Sequence, residues 1–84
     1  MRDTLRSPQQ KQLRTLLREL RSRHQLTQAE VAKRLAKPQS FVAKYERGER
    51  RLSAIEFIHV ARAIGVEPVA LLRQVIDIVD RGER

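Results

Sequence analysis

Apolar residues recur along the chain at spacings of three and four, and no β-branched stretch alternates with polar residues, so the pattern predicts helices throughout. Leu13, Leu16, Leu17 and Leu20 form one stripe, with Lys11, Arg14, Arg18 and Arg21 off it. This first helix is expected to start at Ser7, with Pro8 in the first helical position and Gln10 completing a capping box, and to fade around Arg23–Gln25. Thr27 with Glu30 opens a second helix by the same box, with Val31, Ala32 and Leu35 pointing inward and an end by Ala36 or Lys37. A third runs from about Pro38 to Glu46, stopped by Gly48, with Val42 and Tyr45 inward.

Ser53 with Glu56 opens a fourth helix, whose apolar content is Ile55, Phe57, Ile58, Ala61 and Ile64 and whose stop is Gly65. The fifth is expected from near Pro68 to about Val79, with the charged tail Asp80–Arg84 fraying. Between Val69 and Val79 eight of eleven residues are apolar, and the polar three, Arg73, Gln74 and Asp77, share one narrow arc. Two stripes result: Leu71, Val75 and Ile78, and Val69, Leu72, Ile76 and Val79 with heptad-like spacing. One stripe is expected to meet the other helices and the other a second subunit; the spacing does not say which.

Length and composition narrow the class. Eighty-four residues fit one small all-α domain, with a core over about residues 8–79. No cysteine is present, which excludes disulfides and thiolate metal sites. No run of about 18 apolar residues could span a membrane, and the polar stretch Met1–Gln10 lacks the apolar core of a signal peptide. A soluble, cytoplasmic protein is expected.

Charge changes the picture further. Residues 1–51 hold fourteen basic and five acidic side chains, a net of +9, whereas residues 52–84 hold four and five, a net of −1. A one-sided basic field is the footprint of a polyanion binder. Charge alone does not separate DNA from RNA or an acidic partner.

The segment from Thr27 to Gly48 has the layout of a helix-turn-helix over residues 27–47: a short helix, the turn Ala36-Lys37-Pro38, and a second short helix. Its Thr-Gln-x-Glu-x-Ala opening, its Tyr-Glu-Arg-Gly close and the later Ile64-Gly65-Val66 resemble the phage repressor and Cro type (xenobiotic-response-element family) of helix-turn-helix DNA-binding domain. The resemblance covers roughly residues 10–75 and joins several motifs at fixed offsets. Two positions depart from the pattern: Ala36-Lys37, where the family usually has Gly and a small apolar residue, and Gln25, where Gly is common.

The resemblance implies a compact five-helix domain whose third helix enters the major groove with its N-terminal residues at base edges. By matching position, Gln39, Ser40 and Lys44 are the readers. Glutamine can pair with both polar groups of adenine, and lysine can reach guanine acceptors. Phe41 has two placements open, against thymine methyls or sugar as a further base contact, or over the loop after Gly48. Gln28 resembles the residue that contacts phosphate and braces the first reader. Arg47, Arg50 and Arg51 are phosphate candidates that fix register without reading sequence, with Lys37 and Arg14 weaker ones. Arg21 and Glu46 are expected to form an ion pair between the first and third helices.

Other chemistry lacks support. His24 and His59 are far apart and without a metal-ligand pattern, there is no Gly-rich phosphate loop, and the glutamates fit capping or ion-pair roles. No catalysis, metal or cofactor is expected. The implied function is a sequence-specific transcriptional regulator, a repressor binding a palindromic operator in double-stranded DNA as a homodimer, with any switch supplied from outside the domain. Two rivals stay open: an antitoxin or accessory regulator whose main work is contact with a protein partner, and a non-specific nucleic-acid binder.

Overall fold

A computed structural model describes residues 7–82. The fold is all-α, with helices α1 (Pro8–Arg23), α2 (Gln28–Leu35), α3 (Gln39–Arg47), α4 (Ala54–Ile64) and α5 (Pro68–Gly82). The starts of α1, α2 and α4 follow the predicted cap residues, with the full capping box at α2 and α4. The hydroxyls of Ser7, Thr27 and Ser53 accept the backbone N–H groups of Gln10, Glu30 and Glu56 at 3.0–3.1 Å. At α2 and α4 the glutamate returns the bond to the cap residue's own N–H, at 2.8 and 2.9 Å.

The first four helices end alike. After each, one residue turns left-handed, and its own amide and the next one bond back to carbonyls of the last turn. Glycine takes that position after α3 and α4, at Gly48 (φ 83°) and Gly65 (φ 99°). After α1 and α2 it is Gln25 (φ 58°) and Ala36 (φ 57°), the two departures from the family pattern. The turn therefore keeps its shape without glycine, at a local steric cost.

Leu17, Leu20, Val31, Ala32, Phe41, Val42, Tyr45, Val60, Ala61, Ala63, Ile64 and Leu71 form the core. Ala32 is 2% exposed, so the two helices of the motif approach over a methyl group. α1 packs on α3 and α5, α2 on α3 and α4, and α4 on α5. Two expectations need correction. Ile55 is 64% exposed, and Val60 and Ala63 take the inward positions on α4. α5 continues past Val79 to Gly82, so Asp80–Gly82 are helical. The Gln9 amide donates to the Val79 carbonyl (3.3 Å), tying this last turn to α1. Residues 83–84, the rest of the predicted tail, lie outside the described residues.

On α5 the two stripes separate. Leu71 and Ile78 are buried and Val75 half-buried, so that stripe faces the domain. Val69, Leu72, Ile76 and Val79 are 38–55% exposed. No helix among the described residues is long and apolar enough to cross a membrane.

Candidate nucleic-acid interface

The predicted ion pair is bidentate. The Arg21 Nε donates to Glu46 Oε2 (2.7 Å) and its Nη2 to Oε1 (3.0 Å), while Nη1 caps the Leu26 carbonyl (2.9 Å). The Glu46 side chain is 4% exposed and that of Arg21 14%. The hydrogen bonds to Glu46 hold the guanidinium pKa above its ordinary value, against the opposing pull of burial. This pair clamps the end of α1 to the end of α3.

The same carboxylate reaches the recognition side. The Gln28 Nε2 donates to Glu46 Oε1 (2.9 Å), and the Gln28 Oε1 accepts from Gln39 Nε2 (3.3 Å). Gln39 is exposed at the start of α3 and Gln28 half-buried at the start of α2. A continuous polar chain thus runs from Arg21 through Glu46 and Gln28 to Gln39. The sequence named both ends but not the Gln28–Glu46 link. Two turns of helix between Gln39 and Glu46, which puts them on one face, was the available signal.

Ser40 and Lys44 are exposed on the same helix. Phe41 is not: it is 8% exposed, packs edge-on against Tyr45 and belongs to the core. The expected base contact at Phe41 is corrected accordingly. Its remaining surface lies under the Arg50 guanidinium, 4.6 Å from the ring centroid, with the Lys37 ammonium at 5.5 Å.

The loop arginines divide. Arg50 donates to both oxygens of Glu56 (2.8 and 2.7 Å) and to the Arg51 carbonyl (2.8 Å). With Phe41 below it, Arg50 serves chiefly to pin the loop. The Arg50 guanidinium, helped by the Ser53 backbone, pulls the Glu56 carboxyl down to about 2. Glu56 thus takes both of the roles expected for the glutamates, cap and ion pair, and nothing in its spacing points to Arg50 as the partner. Arg47 pairs with its neighbour Glu49 across exposed surface (3.1 Å), which holds the Glu49 carboxyl below the usual range. Arg51 and Lys37 are exposed. Arg14 is half-buried against Gly48, where a Cβ would fall 2.6 Å from the guanidinium carbon. Only the flexible end of the Arg14 side chain would have to shift, so positive φ is the main reason for glycine at 48.

No group of three or more metal-binding side chains occurs among the described residues, and His24 serves as the α1 cap residue while His59 is exposed. The arrangement is suited to recognition: an exposed amide held by neighbours, a helix face of polar side chains, and cations around it.

A family described as a helix-turn-helix domain matches residues 12–75. Among solved structures the chain is similar to an XRE-family like protein from Pseudomonas syringae pv. tomato str. DC3000. Identity is 45% and the TM-score 0.81, over 89% of this chain and 92% of that one. No curated protein matches.

Proposed function

The chain belongs to the XRE, or repressor and Cro, type of helix-turn-helix DNA-binding family, and from that premise we propose that it is a sequence-specific repressor acting on a two-fold symmetric operator in the cytoplasm. The transcription-regulator class comes with the family; the sign of regulation, the symmetry and the residue roles are the proposal. The observation that carries it is the exposed Gln39 amide, fixed at the start of α3 by Gln28, with Ser40 and Lys44 on the same helix. Gln39, Ser40 and Lys44 read bases. Gln28, Arg47, Arg51 and Lys37 face phosphates, with a lesser share for Arg50. Binding occludes the promoter, and the protein carries out no catalysis.

One helix-turn-helix covers only a few base pairs, so such domains bind as dimers on half-sites about one helical turn apart. The exposed stripe Val69, Leu72, Ile76 and Val79 supplies the surface for a second copy. It borders an apolar groove of about 390 Å³ lined by Leu13, Leu52, Phe57, Val69, Leu72 and Val75. This face lies in the half of the chain whose net charge is −1, where two copies meet without the repulsion of the +9 half.

Selection of bound sites from random duplex DNA, followed by binding curves at several salt concentrations, tests the reading. A symmetric consensus is expected. Gln39→Ala or Lys44→Ala relaxes base preference at one or two positions by about 1–3 kcal/mol. Arg51→Ala weakens all sequences alike and lowers the slope of log affinity against log salt by about one unit. If Arg51→Ala changes the consensus and Gln39→Ala does not, the roles are reversed. A flat selection with no consensus favours the non-specific binder.

A further inference from the structure

We propose that the buried carboxylate of Glu46 sets the direction in which Gln39 presents its amide to DNA, with Gln28 as the relay, so that base preference at that position is fixed from inside the domain. This rests on Gln39 meeting a base edge, as proposed above.

A glutamine amide has a donor end and an acceptor end, and rotation about its last bond exchanges them. A free glutamine on the groove face can therefore offer either order to a base. An ionised carboxylate only accepts. Glu46 takes a guanidinium hydrogen bond on each oxygen, so nothing on it can donate. The end of Gln28 that faces it must be the NH2, as observed at 2.9 Å. Gln28 then turns its carbonyl oxygen outward, and the end of Gln39 that meets it must again be the NH2, at 3.3 Å. Each amide repeats the polarity imposed by the carboxylate.

Gln39 is left with one N–H and an unused carbonyl oxygen, in a fixed order. Adenine offers an acceptor at N7 beside a donor at N6 in the major groove. With α3 docked in one register, the fixed order can meet both groups, and the exchanged order would oppose acceptor to acceptor and donor to donor. Guanine, with two acceptors there, leaves the Gln39 oxygen facing O6. Glu46 and Gln28 are positioning residues in this scheme: Glu46 acts on base choice only through the relay.

The test compares duplexes carrying the selected operator with all four base pairs at the position that Gln39→Ala relaxes. Gln28→Met keeps the length of the side chain and leaves the Arg21–Glu46 pair intact, but it removes both relay bonds. It is expected to reduce the ratio of binding between adenine and the other bases at that position by at least about fivefold. Ratios elsewhere in the operator should stay as in the parent. Any uniform weakening from a lost Gln28 phosphate contact cancels in these ratios. Glu46→Gln, whose amide can donate as well as accept, is expected to blur the same position, with circular dichroism showing a folded protein. Parent ratios in Gln28→Met, alongside lost preference in Gln39→Ala, would overturn the relay alone. Parent ratios in Gln39→Ala would overturn the reader assignment, and the relay with it.

Discussion

The two halves of the molecule treat their surface chemistry in opposite ways. In the basic half, α1 to α3 and the following loop, polar groups are committed to one another: Arg21 to Glu46, Glu46 to Gln28, Gln28 to Gln39, and Arg50 to Glu56 just beyond. In the near-neutral half, α4 and α5, large apolar groups stand open to solvent: Ile55, Val69, Leu72, Ile76 and Val79 are 38–64% exposed. Internal commitment makes a rigid template, which suits a surface that must hold donors in register for a base edge. Exposed apolar area has no such use in isolation and is the area proposed above for a second copy. The first half presents geometry, and the second presents transferable area.

The strongest way to break the template is to strand its most buried charge. Arg21→Met leaves the Glu46 carboxylate, 4% exposed, without its guanidinium and facing the neutral Gln28 amide. The expected cost is about 3–5 kcal/mol, read from urea unfolding. Glu46→Gln leaves the more exposed Arg21 with a neutral partner and should cost less. The double variant Arg21→Met/Glu46→Leu, with no charge left to strand, should recover much of the loss. Equal costs for all three would mean that packing, and not the buried charge, holds α1 to α3.

The area half is probed by Ile76→Asp. A carboxylate in the middle of the exposed stripe leaves the monomer's core untouched but must be desolvated at an interface. Dimerisation is expected to weaken by about 100-fold or more, corresponding to roughly 3 kcal/mol. Sedimentation equilibrium at micromolar concentration reads this directly, and operator affinity should fall in step. A parent protein that is monomeric throughout yet binds its operator fully would remove α5 as the dimer face. A parent that binds only with a second protein present would move the stripe to that partner, as an antitoxin or accessory regulator requires.

One group departs from the pattern of commitment. The Tyr45 hydroxyl is buried and has no hydrogen-bond partner among the described residues, and burial pushes its pKa up. Its ring belongs to the core, so the oxygen adds a desolvation cost with no return. Tyr45→Phe is therefore expected to be neutral or to stabilise by up to about 1 kcal/mol. A loss of more than that in thermal melts would mean that the hydroxyl is bonded in solution, through an ordered water.

Legibility followed the same division. Helix starts were readable because capping needs a particular side chain at a fixed spacing, and Ser7, Thr27 and Ser53 supply it. The stops at Gly48 and Gly65 were readable for the same reason, whereas those near Gln25 and Ala36 could be placed only to within a residue or two, since neither residue type favours a left-handed turn. The two stripes of α5 could be counted, but which one faces inward depends on where α1 and α4 lie. The core position of Phe41 and the Arg50–Glu56 pair were hidden because both depend on how the loop after α3 folds back. The left-handed positions give the next prediction. Ala36→Gly relieves a strain of roughly 1–2 kcal/mol and gives back about 0.4–1 kcal/mol in unfolded-chain freedom, so a net gain of up to about 1 kcal/mol is expected. A loss on substitution would show that the Ala36 methyl makes a contact worth more than its strain.

The smallest effect tests whether the loop pin contributes like the buried clamp or like a surface pair. The Glu56 carboxyl is held down to about 2, first by the Arg50 guanidinium and then by the Ser53 backbone. A carboxyl depressed in the folded state stabilises above its unfolded pKa, and the contribution disappears as pH falls from about 4.5 towards 2. The pair is partly exposed, with side chains 38% and 25% accessible, so solvent screening limits it to about 1 kcal/mol or less. Glu56→Gln preserves the capping geometry, because glutamine serves at that position of the box. The variant should be slightly less stable than the parent near neutral pH, and the two should converge as pH falls to about 2. Molar salt at neutral pH should narrow the same gap. A difference that persists unchanged through acid and salt would assign it to lost packing over Phe41, and the loop would then be held by the Arg50 stack rather than by charge.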